Sequence, residues 1–186
     1  MNQRLPLRRS GDDPRLVELY SKGLTGPSGD PLNIFGVLGN HPDMLKRWLV
    51  FATHVLSKNS LSPRDRELLI LRTGWNCRSV YEWGQHVVIA RQCGISDPEI
   101  EAVKSGADAP GWSAHDRLLM TAADELHLHQ SLSDHTWSEL TDVYETEQIL
   151  DLIATVGNYH LVAMFLNSTG VPLDAGVPDE PALRRD

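Results

Sequence analysis

Ser62-Pro63-Arg64-Asp65-Arg66-Glu67-Leu68-Leu69-Ile70-Leu71-Arg72-Thr73 opens like a helix and continues like one. Serine supplies the cap, proline fits the first turn, and aspartate takes the capping-box position that glutamate more often fills. The run after it is apolar and lacks the period-two alternation of a strand. The expected helix ends near Thr73, with Gly74 and Asn76 marking a break. A second helix is expected from about Arg78 to Cys93, stopped by Gly94.

Working outward, the same punctuation recurs. Pro14 to Lys22 is a short helix, Gly23 to Pro31 a loop, Leu32 to Gly39 one or two turns, and His41-Pro42 opens a helix to about Lys58. Ser96-Asp97-Pro98-Glu99 repeats the capping box and opens a helix ending near Ser105-Gly106. Ser113 starts one reaching His129, and Ser133 caps one reaching Tyr144. The last helix, about Glu147 to Thr169, is long and apolar, closed by Gly170 and Pro172. The pattern predicts an all-α protein of about eight helices.

At 186 residues one domain is expected, 1–186, with 1–13 and 174–186 as loosely ordered extensions. Acidic residues outnumber basic ones 25 to 17, and no basic block stands out beyond Arg4 to Arg9 and Arg184-Arg185. Nucleic acid is therefore not an expected partner. No signal-peptide pattern and no apolar run near ~20 residues is present, so neither export nor a membrane span is expected. Cys77 and Cys93 lie at the two ends of one expected helix, ~20 Å apart at ~1.5 Å rise per residue. A disulfide needs Cα atoms within ~7 Å, so reduced thiols and a cytoplasmic location are expected.

The candidate chemistry sits in Cys77-Arg78-Ser79-Val80-Tyr81-Glu82-Trp83-Gly84-Gln85-His86. Ser79, Glu82, Trp83 and His86 recur at three and four residues and share a helical face. A carboxylate four residues before a histidine orients the ring for proton transfer. The same pair also reads as plain helix stabilisation worth ~0.5 kcal/mol. Glu67 lies a turn and a half inside its helix, deeper than a dipole-complementing acid needs to be. Cys77, near a helix start beside Arg78, fits a nucleophile as well as a buried filler. Asn158-Tyr159-His160 interrupts the apolar last helix, which requires partners or a shared cavity. His127 and His129 are two apart and point to different sides, and the other histidines are scattered. That spacing predicts no metal site within a subunit and leaves open only one assembled between subunits. The apolar spread of the last helix, from Leu150 through Leu166, predicts burial between subunits in a homo-oligomer.

The chain resembles the carboxymuconolactone decarboxylase family, which includes alkylhydroperoxidase D. The likeness rests on Leu61 to Arg72, on Tyr81-Glu82-Trp83-Gly84-Gln85-His86, on Ala90 to Ile95, on Asn33 to Pro42, and on Gly157-Asn158-Tyr159-His160 to Leu173. The resemblance implies an alkylhydroperoxidase D-like helical bundle, a homo-oligomer, and no organic cofactor. The peroxidase branch uses Cys-x-x-Cys-x-x-x-His with an upstream glutamate. Here the histidine matches His86 and the glutamate Glu67, but the cysteine positions hold Ser79 and Glu82. The decarboxylase branch has an acid four residues before its histidine, as Glu82 precedes His86. The resemblance thus implies a cofactor-independent lyase or isomerase acting on a small carboxylated, lactone or enolisable substrate. His86 is the expected acid or base, Glu82 orients it, Glu67 relays the proton, Tyr81 donates to an enolate, and Trp83 walls out water. Ser79, Cys77, Asn158 and His160 are expected to bind substrate. The alternatives are a peroxide reductase using Cys77 and a non-catalytic small-ligand-binding oligomer.

Overall fold

A computed structural model describes residues 2–26 and 28–184. Pro27 of the Gly23 to Pro31 loop, Met1, and Arg185 of the basic C-terminal pair lie outside the described residues. Among the described residues nine α-helices follow in order: α1 (Pro14–Tyr20), α2 (Asn33–Leu38), α3 (Pro42–Thr53), α4 (Pro63–Asn76), α5 (Val80–Gln92), α6 (Asp97–Val103), α7 (Ala114–His129), α8 (Asp134–Val143) and α9 (Thr146–Thr169). No strand occurs among the described residues, only an isolated bridge between Thr25 and Pro31. The expected count of about eight falls one short of these helices.

The serine starts form caps as the sequence dictates. Ser62 accepts from the Asp65 amide at 3.1 Å, Ser113 from that of Asp116 at 3.0 Å, and Ser133 from that of Thr136 at 3.2 Å. Ser96 and Glu99 form the reciprocal box that opens α6. Two boundaries differ from the expectation. Helix α4 runs through Gly74 to Asn76, because Gly74 makes room rather than a break. A Cβ there would lie 3.1 Å from Glu82 Oε1 on the neighbouring helix. Helix α3 ends at Thr53 and widens into a π-helical turn, His54–Lys58. Asp151 of α9 fixes that turn, accepting from the Ser60 amide at 2.6 Å and bonding His54 Nε2 at 2.7 Å.

Leu68, Leu69, Ile70 and Leu71 are all fully buried. Four successive residues cover the whole circumference of a helix, so α4 is surrounded. It packs on α5, α7 and α9 and separates two cores. The larger joins Leu68, Leu69 and Leu71 to α5–α9, and the smaller joins Ile70 to α1, α2, α3 and α9. Helix α9 is long and apolar enough by length and composition to cross a bilayer, though half of its most apolar window is buried inside the molecule. Its buried Asp151 and Asn158 find partners on other elements, as a central helix of a bundle requires.

The described residues of both extensions make contacts with the bundle. The amide of Arg4 donates to Thr169 O and that of Arg8 to Gly36 O, each at 2.8 Å. In the tail, Asp174 accepts from the Asn33 amide at 3.0 Å, from Gln85 Nε2 at 2.7 Å and from the Tyr81 hydroxyl. Leu183 is buried in the larger core, and Glu180 meets Lys104 Nζ at 2.6 Å. Gly84 permits the crossing: a Cβ there would lie 2.4 Å from Pro178 O. The tail thus reaches home through apolar and polar contacts too far away in sequence to be read locally.

Candidate functional site

Helices α4 and α5 place an acid–imidazole pair beneath a cavity. Glu67 points from the second turn of α4 toward α5 and is wholly buried. His86 Nδ1 lies 2.7 Å from Glu67 Oε2, and Arg66 Nε donates to Glu67 Oε1 at 3.1 Å. Burial works to raise the pKa of Glu67, but His86 and Arg66 outweigh it and hold the carboxyl below its ordinary value. The carboxylate therefore takes the Nδ1 hydrogen and orients the ring, leaving Nε2 as the nitrogen it does not engage. Tyr159 of α9 meets the imidazole edge to face at 4.8 Å between ring centres, which locks its plane.

Glu82 behaves in the opposite way. It is buried, and neither carboxyl oxygen has a hydrogen-bond partner among the described residues. Burial raises its pKa well above the ordinary value, which favours the neutral acid. This corrects the expected roles: Glu67, from another helix, orients His86, whereas Glu82 faces the gap left by Gly74. The i,i+4 spacing put Glu82 and His86 on one face, but spacing within a helix cannot show which atom a neighbouring helix has already claimed.

Glu82 and His86 line one cavity of about 340 Å³. Its other walls are largely apolar, among them Ile34, Phe35, Trp48, Leu49, Ile89 and Val162. Asn158 also lines it and accepts from Trp48 Nε1 at 3.0 Å, which partners one of the polar residues interrupting α9. The π-helical turn borders the same space through Leu56 and Ser57, a position common for such turns.

The remaining expected site residues divide. The Tyr81 ring lines the cavity, but its hydroxyl donates to Asp174 and accepts from the Ile34 amide at 3.3 Å. It is a structural clasp, not the expected enolate donor. Trp83 faces the larger core against Trp75, with ring centres 5.3 Å apart, and is not a wall of the cavity. Ser79 is the buried N-cap residue of α5, its hydroxyl without a partner among the described residues, and it does not line the cavity. Cys77 and His160 lie elsewhere, beside His127. Burial, and then His160, holds the His127 pKa below its ordinary value. Arg66, Trp48 and His127 were not among the expected site residues. For Arg66 the signal was present: a cation adjacent to an acid already singled out for its depth in the helix.

Fold and site together define a helical protein of the alkylhydroperoxidase D-like class whose centre is carboxylate and imidazole, not dithiol. Residues 42–125 match the model of the Carboxymuconolactone decarboxylase family. The matched segment, which holds Glu67, Glu82 and His86, is similar to that family. An uncharacterized peroxidase-related protein from Ralstonia eutropha JMP134, described as an alkylhydroperoxidase AhpD core, superimposes with a TM-score of 0.76 at 17% identity, covering 93% of each chain. The debrominase Bmp8, solved as a cysteine-to-alanine variant in complex with 2,3,4-tribromopyrrole, gives 0.76 at 14% identity over 94% of each chain. An uncharacterized peroxidase-related protein from Silicibacter sp. TM1040 gives 0.67 at 16% identity, covering 76% of this chain and 78% of its own. No curated protein matches the sequence. At such identities the likenesses establish the fold.

Proposed function

We propose that the chain is a cofactor-independent lyase or isomerase that moves protons on a small, largely apolar substrate bearing an enolisable carbonyl, lactone or carboxylate. The observation that carries this reading is the unlike placement of two acids around one imidazole. Glu67 is paired with His86 and Arg66, which lower its pKa, and Glu82 lies buried and unpartnered among the described residues beside the same cavity, where burial raises its own. Environments that push two acids apart in this way separate acid from base roles. His86 Nε2 removes a proton from the carbon next to the carbonyl. The electron pair moves into the enolate, whose oxygen takes a hydrogen bond or the proton from Glu82. Return of that proton from His86 to a different carbon, with any proton on the oxygen going back to Glu82, completes an isomerisation. In the decarboxylating variant, His86 Nε2 takes the proton of the substrate's carboxylic acid, the C–C bond to the carboxylate breaks, carbon dioxide leaves, and the imidazolium delivers that proton to the carbon. Glu67 stabilises the imidazolium in either case. The apolar walls keep water away from the reacting groups.

The peroxide-reducing reading through Cys77 gains no support from the geometry. Cys77 does not line the cavity, and the positions that carry the two cysteines in the peroxidase branch hold Ser79 and Glu82. The debrominase relative was solved with a small halogenated ring, which agrees with a cavity of apolar walls and few polar groups.

The test is turnover and solvent-deuterium incorporation across a panel of small lactones, β-keto acids and enolisable carboxylates, with wild type and His86→Ala. Loss of the base is expected to cost ~10²–10⁴-fold in rate with helical content retained. Full activity of the variant on a substrate turned over by the wild type would defeat the proposal.

A further inference from the structure

Away from the cavity, three metal-ligand side chains converge from segments far apart in sequence. Cys77 caps the C-terminus of α4, His127 lies in the last turn of α7, and His160 lies midway along α9. His127 Nδ1 and His160 Nε2 are 2.9 Å apart, Cys77 Sγ is 4.0 Å from His127 Nδ1, and the three donor atoms all lie within 4.8 Å of one another. We propose that they form a zinc site with one coordination position left to solvent or a small ligand.

The donor set and its spacing carry this. One thiolate and two imidazoles suit a borderline-soft divalent ion of the zinc type. Zinc–nitrogen and zinc–sulfur bonds of ~2.0 and ~2.3 Å at a tetrahedral angle imply N···N of ~3.3 Å and N···S of ~3.6 Å. The observed 2.9 and 4.0 Å lie on either side of these values, and the remaining pair, Cys77 Sγ and His160 Nε2, is within 4.8 Å, so the ion would draw the three side chains into place.

The supporting shell is already built. His160 Nδ1 donates to Val156 O at 2.8 Å, which leaves Nε2 as the lone-pair nitrogen turned toward the other two ligands. The Cys77 backbone is held from two helices: its amide donates to Thr73 O at 2.9 Å, and its carbonyl accepts from Asn167 Nδ2 at 2.9 Å. Arg78, next in the chain, adopts a left-handed conformation with φ of 52°, unusual for a non-glycine residue, and turns the chain sharply after the cysteine. All three ligands are half-buried, enough to hold an ion and open enough to load one. With three protein ligands the fourth position stays open, as in catalytic rather than purely structural zinc centres.

Spacing along the chain could not show this, because the three positions are separated by whole helices. The site is independent of the proposed acid–base centre: none of its residues lines that cavity.

The experiment uses the reduced, chelator-treated full chain, titrated with zinc in competition with a chromophoric chelator. One ion per chain is expected. Cys77→Ser and His160→Ala should each weaken binding by more than the ~10–100-fold typical of losing an outer-shell partner. His135→Ala, at an exposed histidine, should not weaken it. Wild type alone provides a second readout that needs no folded variant. Zinc should slow alkylation of Cys77 while leaving that of Cys93 unchanged, as measured by peptide mass. Cobalt should add a thiolate charge-transfer band. Equal protection of both thiols, no protection of Cys77, or undiminished affinity in Cys77→Ser would each overturn the proposal.

Discussion

Glu82 offers the sharpest physical test, because its burial makes stability fall as pH rises. Its ordinary pKa is 4.5, and burial raises the folded-state value well above that. Between those two values the native chain binds more protons at this position than the unfolded chain does. Stability from this group is therefore fully present below about pH 4.5 and declines with increasing pH until the folded-state value is reached. The slope across that window is about 1.4 kcal/mol per pH unit. Glu82→Gln keeps the shape and removes the titration. Near the acid end the two proteins should be almost equally stable, since both present a neutral group to the same gap beside Gly74. As pH rises the variant should gain on the wild type by about 1.4 kcal/mol per unit, or roughly half a molar in urea midpoint. Every other titrating group contributes alike to both proteins and cancels in the difference. The assay is a pair of urea unfolding series at several pH values from mildly acidic to neutral. A difference that does not change with pH would show that Glu82 is not held neutral and would remove the proton donor from the proposed mechanism.

Two further outcomes follow. Gly84→Ala sets a Cβ 2.4 Å from Pro178 O and 2.7 Å from Val177 Cγ1, so it should cost about 1–3 kcal/mol and lift the tail from α5. Thermal unfolding with limited proteolysis of residues 174–184 reads this, and unchanged protection would refute it. The outward face of α9 carries Leu150, Leu161 and Met164 at 58%, 40% and 62% exposure, with Gly157 between them. We propose that a second copy covers that face: sedimentation at micromolar concentration should give an oligomer that Met164→Lys weakens, and a wild-type monomer would count heavily against it.

The helices were legible because their signals are local. Serine and proline starts, glycine and proline stops, and an apolar run such as Leu68 to Leu71 act within a few residues. Gly74 misled for the same reason. As punctuation it marks a break, and only the proximity of Glu82 explains why an unbroken helix needs a residue without a side chain there. Glu67, Glu82 and His86 were legible as chemistry-bearing residues, from depth in the helix and from spacing. Their pairing was not, since it depends on the angle at which α4 meets α5. Trp83 reads as part of a polar stripe, yet its bulk carries it round to Trp75 in the larger core. Cys77, His127 and His160 lay furthest from view, brought together only by the packing of three helices.

Replacement of two sulfurs by a hydroxyl and a carboxyl changes what the fold can do. On the resemblance to the peroxidase branch, Ser79 and Glu82 stand where that branch has its cysteine pair. Ser79 Oγ and both Glu82 oxygens are buried and without hydrogen-bond partners among the described residues. Buried polar atoms left unpaired cost about 1–3 kcal/mol each, and folded proteins hold few of them. In a thiol enzyme the same positions would hold sulfur, which tolerates apolar surroundings. The oxygens here do not, and nothing among the described residues partners them. A substrate carbonyl or carboxylate in the cavity can take the proton of Glu82 as a hydrogen bond, so that the unfavourable burial is relieved most when negative charge develops on that oxygen. An interaction stronger in the transition state than in the empty site is the condition for catalysis. The substitutions that remove thiol chemistry thus leave a histidine with a fixed base face and an acid whose hydrogen bond is unspent, both bordering one small apolar chamber.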